Sequence, residues 1–257
     1  ILARFLYSVQ EKTDLRLAQW NSGKMHNAIP RDGKIIFAVP SDKKEEIKAD
    51  WNIFTANVED EFHVTDVAMA WSLESTDAQK VLPKQVSENL IKAVQAVDNG
   101  VFAMCQDEEL AWMVETSSNI ASVQSDEKEV VCVTSQRSNV MSNLKNIANS
   151  VKAVFELAGA KVVTNEGYPA WKMRKGSKLQ KITIDAYRKL FGKDPIVKGI
   201  HAGLECGLFS EKYPDLDMVS FGPTLRFVHT PDERLLIPTV QMVWDHLLEV
   251  LKNIPVK

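Results

Sequence analysis

Residues Ile196-Val197-Lys198-Gly199-Ile200-His201-Ala202-Gly203-Leu204-Glu205-Cys206-Gly207 run from a short apolar stretch into a glycine-rich segment that continues as Leu208-Phe209. The apolar residues 196–200 predict a strand. Upstream, residues 161–164 read as another short strand, and Ser177 is placed to cap a helix bearing Leu179, Ile182 and Leu190 that stops at Gly192. Downstream, 217–221 predict a third strand, ending at Gly222-Pro223, and Pro238 suits the first turn of a last helix with Val243, Leu247 and Leu251. Strands alternating with helices define an α/β layer architecture. In such folds, sites gather in loops at strand ends. The glycines of 201–207 would let a substrate approach the backbone and would offer N–H groups to an anion at a helix start. The same residues also fit a plain strand-to-helix turn with Glu205 as a cap.

Two further positions stand out. In Gly222-Pro223-Thr224-Leu225-Arg226-Phe227-Val228-His229-Thr230-Pro231-Asp232-Glu233, His229 lies in a polar loop with carboxylates close behind it. A neutral imidazole there can ligate a transition metal, or the residue can be a surface or helix-capping histidine. Arg137, at the end of a strand in Thr134-Ser135-Gln136-Arg137-Ser138, can grip a carboxylate with two parallel hydrogen bonds or simply sit solvated at a hairpin end. His63 and His246 fall on amphipathic helices and His26 in a loop. No HExxH, GxSxG, GxGxxG or Walker loop occurs. One loop histidine cannot complete a zinc site, which needs three or four donors.

The first 160 or so residues have a different texture. Leu2, Phe5, Leu6 and Val9 form a helical stripe with no initiator Met before it, the pattern of a helix met in mid-stride behind an absent preceding domain, or of a processed end. Strands are expected at 15–20 and 35–39. Ser41 should cap a helix carrying Ile47, Trp51, Phe54, Val58 and Phe62. A second helix, with Val86, Leu90, Val94 and Val97 on one face, should end at Asn99-Gly100. Residues 116–123 and 130–135, separated by Ser125-Asp126-Glu127-Lys128, predict a hairpin. Ser138 then opens a helix closed by Gly159. Two rounds of strand, strand and helix hint at a pseudo-repeat.

The chain of 257 residues carries a net charge of -3 and 45% hydrophobic residues, with a pI near 6.0. That balance gives no electrostatic reason to expect nucleic acid or an anionic membrane as partner, and no apolar run reaches the roughly 20 residues of a spanning helix. Cys105, Cys132 and Cys206 are odd in number and far apart, which suits a reducing, cytoplasmic setting better than a disulfide framework.

At these segments the sequence resembles the bacterial aminoacyl-histidine dipeptidases (Xaa-His or cytosol non-specific dipeptidases). The resemblance is carried by HAGLECGLF at 201–209, DMVSFGP at 217–223, HTPDE at 229–233, Tyr168-Pro169-Ala170-Trp171 and Asn27-Ala28-Ile29-Pro30, and so extends over the whole chain. It implies a di-zinc exopeptidase related to carnosinases and carboxypeptidase G, with a catalytic α/β domain interrupted by a lid that also mediates homodimer formation. Residues 1–164 would be an α+β lid domain and 165–257 the C-terminal part of the catalytic domain. The resemblance makes His229 a zinc ligand, places Arg137 and Gly203 on a dipeptide substrate, and brings Asn27 to the site from the lid. The family's HxD pair, bridging aspartate, Glu-Glu pair with the general base, further aspartate ligand and lid histidine have no counterpart in these 257 residues. The zinc-dependent mechanism would therefore be incomplete in this polypeptide alone. A non-catalytic dimerisation or binding module is the alternative reading.

Overall fold

In the computed structural model, the stripe at the start of the chain forms helix α1 (Leu2–Gln10), which buries Ala3, Phe5, Leu6 and Val9. The structure describes residues 1–77, 79–165, 167, 169, 171, 174–199, 201, 205–228 and 232–255. They divide into two compact units, one of residues 1–104, 114–138 and 142–165 and one of 105–113, 139–141 and 166–257. The division thus differs from a single cut at 164/165, because two short stretches of the first half group with the second unit.

In the first unit, α1 is followed by strands β1 (Arg16–Ser22) and β2 (Gly33–Ala38), helices α2 (Lys44–Phe62) and α3 (Lys84–Ala96), strands β3 (Gly100–Met104), β4 (Val114–Ser125) and β5 (Val130–Ser138) and helix α4 (Met141–Leu157). All pairings are antiparallel and β4 is the hub. One edge of β4 pairs with β5 from Thr116↔Ser138 to Ser125↔Val130. The other takes β3 near its start, Gly100↔Ser118 to Met104↔Val114, and β1 near its end, Asn21↔Gln124 and Ser22↔Val123. Phe5, Leu17, Trp20, Ile47, Trp51 and Ile91 form the main core, and Ala93, Val97, Val151 and Phe155 a second cluster. Cys132 packs beside that second cluster, and burial pushes its thiol up to about 11, so it stays protonated and unreactive at neutral pH.

Several boundaries move from the sequence expectation. Ser41 begins a short 3-10 turn (Ser41–Lys43) and makes no side-chain cap bond; α2 starts after it. Helix α3 ends at Ala96, where Val97 turns extended, and Gly100, at φ 113, opens the unforeseen strand β3. The buried face of α3 runs through Ser87, Ile91, Ala93 and Val94, while Val86 is exposed. Ser87 belongs inside because its Oγ accepts the amide of Leu17 (3.0 Å), at the bulge between Leu17 and Gln19. Ser138 is the last residue of β5 rather than the opening of α4. With α3 and β3 between the two rounds, the suggested repeat is not a simple one.

In the second unit, helix α5 (Lys178–Phe191) has the termini its sequence promises. Ser177 Oγ accepts from the amide of Gln180 (2.9 Å), and Gly192 takes the left-handed conformation at φ 66. Asp217 Oδ2 accepts the amide of Leu179 at 3.0 Å. Burial disfavours this carboxylate's charge, but the Leu179 amide and the Ser177 hydroxyl outweigh it and hold the group below the usual range. Ser177→Ala should lower stability by about 1 kcal/mol, the usual cost of a lost N-cap, read as a urea midpoint shift by far-ultraviolet circular dichroism. No change would mean that Asp217 alone satisfies the helix start. Helix α6 (Glu205–Lys212), the two-residue strands β6 (Leu225–Arg226) and β7 (Arg234–Leu235), and helix α7 (Pro238–Asn253) complete the unit. His246 of α7 is buried, with Nε2 2.8 Å from the Thr183 carbonyl of α5 and its ring against Phe221. It is a packing residue.

The strands expected at 161–164, 196–200 and 217–221 are not formed among the described residues. A strand exists only with a ladder partner, and none of the described pairings reaches these segments. The mixed α/β class holds for the chain as a whole. No helix among the described residues is long and apolar enough to cross a membrane.

Candidate functional site

Asn27 sits exposed in a turn within the loop that joins β1 to β2. The neck of the loop is closed by the Gly23 amide donating to the Asp32 carbonyl (3.1 Å). Gly23 has φ 67, and a Cβ placed there would lie 2.1 Å from the Ala121 carbonyl oxygen of β4, so only glycine lets the loop leave the sheet at this point. Gln124 of β4 holds the same neck by donating through Nε2 to the carbonyls of Gly23 (2.6 Å) and Ser22 (3.2 Å).

Arg137 lies half-buried on β5, directly across from Ser117 of β4. Its Nη2 stands 3.5 Å from the Asn27 carbonyl, at the outer limit of a hydrogen bond. Two residues that are 110 positions apart in sequence are therefore brought together. The opposite face of the same strands is satisfied internally: Thr116 and Ser138 share a hydroxyl contact of 2.8 Å, and Gln136 donates to Ser118 at 3.1 Å. Lys24, Arg31 and Lys34 against Asp32 give the loop and its neck a positive balance, which favours an anion beside Arg137. A shallow cavity of about 480 Å³, lined in part by Lys24, Asp32, Lys34 and Gln124, lies at the neck and does not include Asn27 or Arg137.

Gly203 and His229 lie outside the described residues, as does Tyr168 of the Tyr168–Trp171 motif. Their neighbours are placed. Glu205 is the first residue of α6, where a carboxylate suits the helix start. Strands β6 and β7 pair through Leu225↔Leu235 and Arg226↔Arg234 on either side of 227–233. Within that segment Phe227 has φ 54, and the Arg234 guanidinium stacks 5.1 Å from its ring centre.

No group of three or more His, Cys, Asp or Glu side chains that could hold a metal ion exists among the described residues. His63 is engaged with the Asp60 carbonyl at the end of α2 (2.6 Å), and His246 with Thr183. The described donors do not come together as a zinc cage.

No family model matches the sequence. It is 35% identical to the cytosol non-specific dipeptidase of Escherichia coli K12, an alignment that covers 100% of this chain and 53% of that protein. The crystal structure of aminoacylhistidine dipeptidase from Vibrio alginolyticus matches with a TM-score of 0.87 and 36% identity, over 100% of this chain and 52% of the other. Over its whole length the chain is similar to these two dipeptidases. It spans about half the length of the relatives it matches. The likeness to these dipeptidases is thus one of sequence and of fold together.

What sequence reading missed at this site is Asn119 of β4, whose Nδ2 donates to the Ala28 carbonyl at 2.9 Å. The available signal was the polar run Thr116-Ser117-Ser118-Asn119 inside a strand, where an alternating pattern would place apolar residues on one face.

Proposed function

We propose that this chain contributes the substrate-carboxylate side of a zinc-dependent dipeptidase with broad specificity that includes Xaa-His dipeptides. The observation that carries the reading is the approach of Arg137 to the Asn27 backbone on a positively balanced sheet edge, in a chain similar to dipeptidases over its full length. An exopeptidase must recognise a chain end. A guanidinium fork donates to both carboxylate oxygens, and the Asn27 side-chain amide would add a third donor. The bound dipeptide would then be oriented by its C-terminus, and orientation alone contributes substantially to a hydrolytic rate. Gly203 would let the peptide lie close to the backbone of the 201–207 segment.

In this reading His229 supplies one zinc ligand, and the other ligands and the general base come from residues outside these 257. Zinc would furnish a nucleophilic water at neutral pH. Residues 1–164 would act as the lid and as the homodimer contact, and 165–257 as part of the catalytic domain. The setting is cytoplasmic, in keeping with the name of the Escherichia coli relative. The test is a polypeptide joining this chain to the remaining half of that relative. There His229→Ala should lower bound zinc by about one ion per chain, since zinc sites tolerate few missing donors, and should abolish cleavage of an Xaa-His dipeptide. Arg137→Ala should leave the zinc content unchanged. Unaltered zinc and turnover after His229→Ala would overturn the assignment.

A further inference from the structure

The loop that carries Asn27 has little to hold it besides polar contacts. Met25 is 58% exposed and Ile29 80%, so no large apolar side chain from the tip is buried against the sheet. At the neck it is tied by Gly23, Asp32 and Gln124, as described. At the tip, two consecutive carbonyls face side chains of the hairpin: that of Ala28 accepts from Asn119 at 2.9 Å, and that of Asn27 stands 3.5 Å from Arg137. Asn119 pairs with Ser135 and Ser117 with Arg137, which puts Asn119 and Arg137 diagonally on one face of the sheet.

From this arrangement we infer that Asn119 is a positioning residue for the carboxylate site: its amide fixes the backbone just after Asn27, so that Asn27 and Arg137 present their donors together. The inference rests on the carboxylate reading above. Arg137 is poorly suited to the task, because its contact to the loop is long and its charge is needed by the ligand. Asn119 is neutral, so it can hold a carbonyl without competing for an anion. A carboxylate in its place would lose the donor, meet the Ala28 oxygen with negative charge, and draw Arg137 away from the ligand.

The test uses the 257-residue chain and the variants Asn119→Ala, Asn119→Asp and Arg137→Ala. Trypsin cuts after Lys24 and Arg31, both within the loop. Loss of one ordinary hydrogen bond should speed these cuts about fivefold in both Asn119 variants, with the urea midpoint little changed because Asn119 is only half-buried. Binding of an Xaa-His dipeptide and of its C-terminal amide is followed by NMR titration. Asn119→Ala should weaken the free-carboxylate ligand about fivefold and the amide hardly at all, with Asn119→Asp weakening it further. A loop that merely props up the fold would weaken both ligands alike. If neither loop cleavage nor carboxylate discrimination changes in the Asn119 variants, the positioning role is wrong. If the unaltered chain shows no preference for the carboxylate over the amide, or Arg137→Ala leaves that preference intact, the site reading itself fails, while the cleavage rates still decide whether Asn119 tethers the loop.

Discussion

Arg137→Ala should weaken binding of a dipeptide with a free C-terminus by about 10- to 100-fold, the range expected when a charge-assisted hydrogen-bonded pair is lost. Arg137 is half-buried on β5, so its attraction for an anion is screened less than that of a fully exposed side chain. The C-terminal amide of the same dipeptide has no charge to lose and should fall by about twofold or less. Arg137→Lys keeps the charge but not the planar fork, and should recover only part of the affinity. The measurement is a pair of NMR titrations on the 257-residue chain, carboxylate against amide, for each variant. Equal losses on both ligands would show that Arg137 shapes the hairpin rather than reading the carboxylate.

The second large effect is expected far from this site. Phe5 is 2% exposed and meets three rings: Trp51 edge-on at 4.8 Å, Phe54 at 5.3 Å and Phe37 at 6.5 Å. Phe5→Ala should cost about 3–5 kcal/mol for the cavity and the lost transfer energy, with the ring geometry adding up to about 1 kcal/mol. That is a large share of the roughly 5–15 kcal/mol that holds a typical domain folded. Tryptophan fluorescence during urea unfolding reports on it, because Trp51 is in contact with the substituted ring. Tyr7→Ala on the same helix, 37% exposed, should change stability by about 0.5 kcal/mol or less. A Phe5→Ala loss under about 1 kcal/mol would mean that α1 is peripheral to the fold, contrary to its burial.

The elements that sequence reading captured are those specified locally. Helix α5 carries its own start and stop in Ser177 and Gly192, α7 has Pro238 at its first turn, and the 125–128 turn announces the β4–β5 hairpin. The misses depend on partners distant in the chain. β3 is an exposed five-residue strand that exists because β4 accepts it, and the apolar runs 196–200 and 217–221 looked like strands without any described ladder to join. Ser87 offered no periodic reason to be buried; its hydroxyl answers an amide 70 residues away. At the candidate site, the family resemblance singles out Arg137 and Asn27, and the fold brings the two together, whereas Asn119 becomes visible only when the loop is seen lying on the hairpin.

Gly23 links the loop to the rest of the unit more firmly than any side chain could. Because the Ala121 carbonyl leaves no space for a Cβ, the loop departs from the central strand at a point of backbone-to-backbone contact. Substitutions at 25–29 and 31, where side chains face solvent, should therefore stay local to the loop, while any side chain placed at 23 would disturb β4 directly. On the proposed reading, retuning toward other chain ends is a matter of redecorating the tip and leaving its root alone.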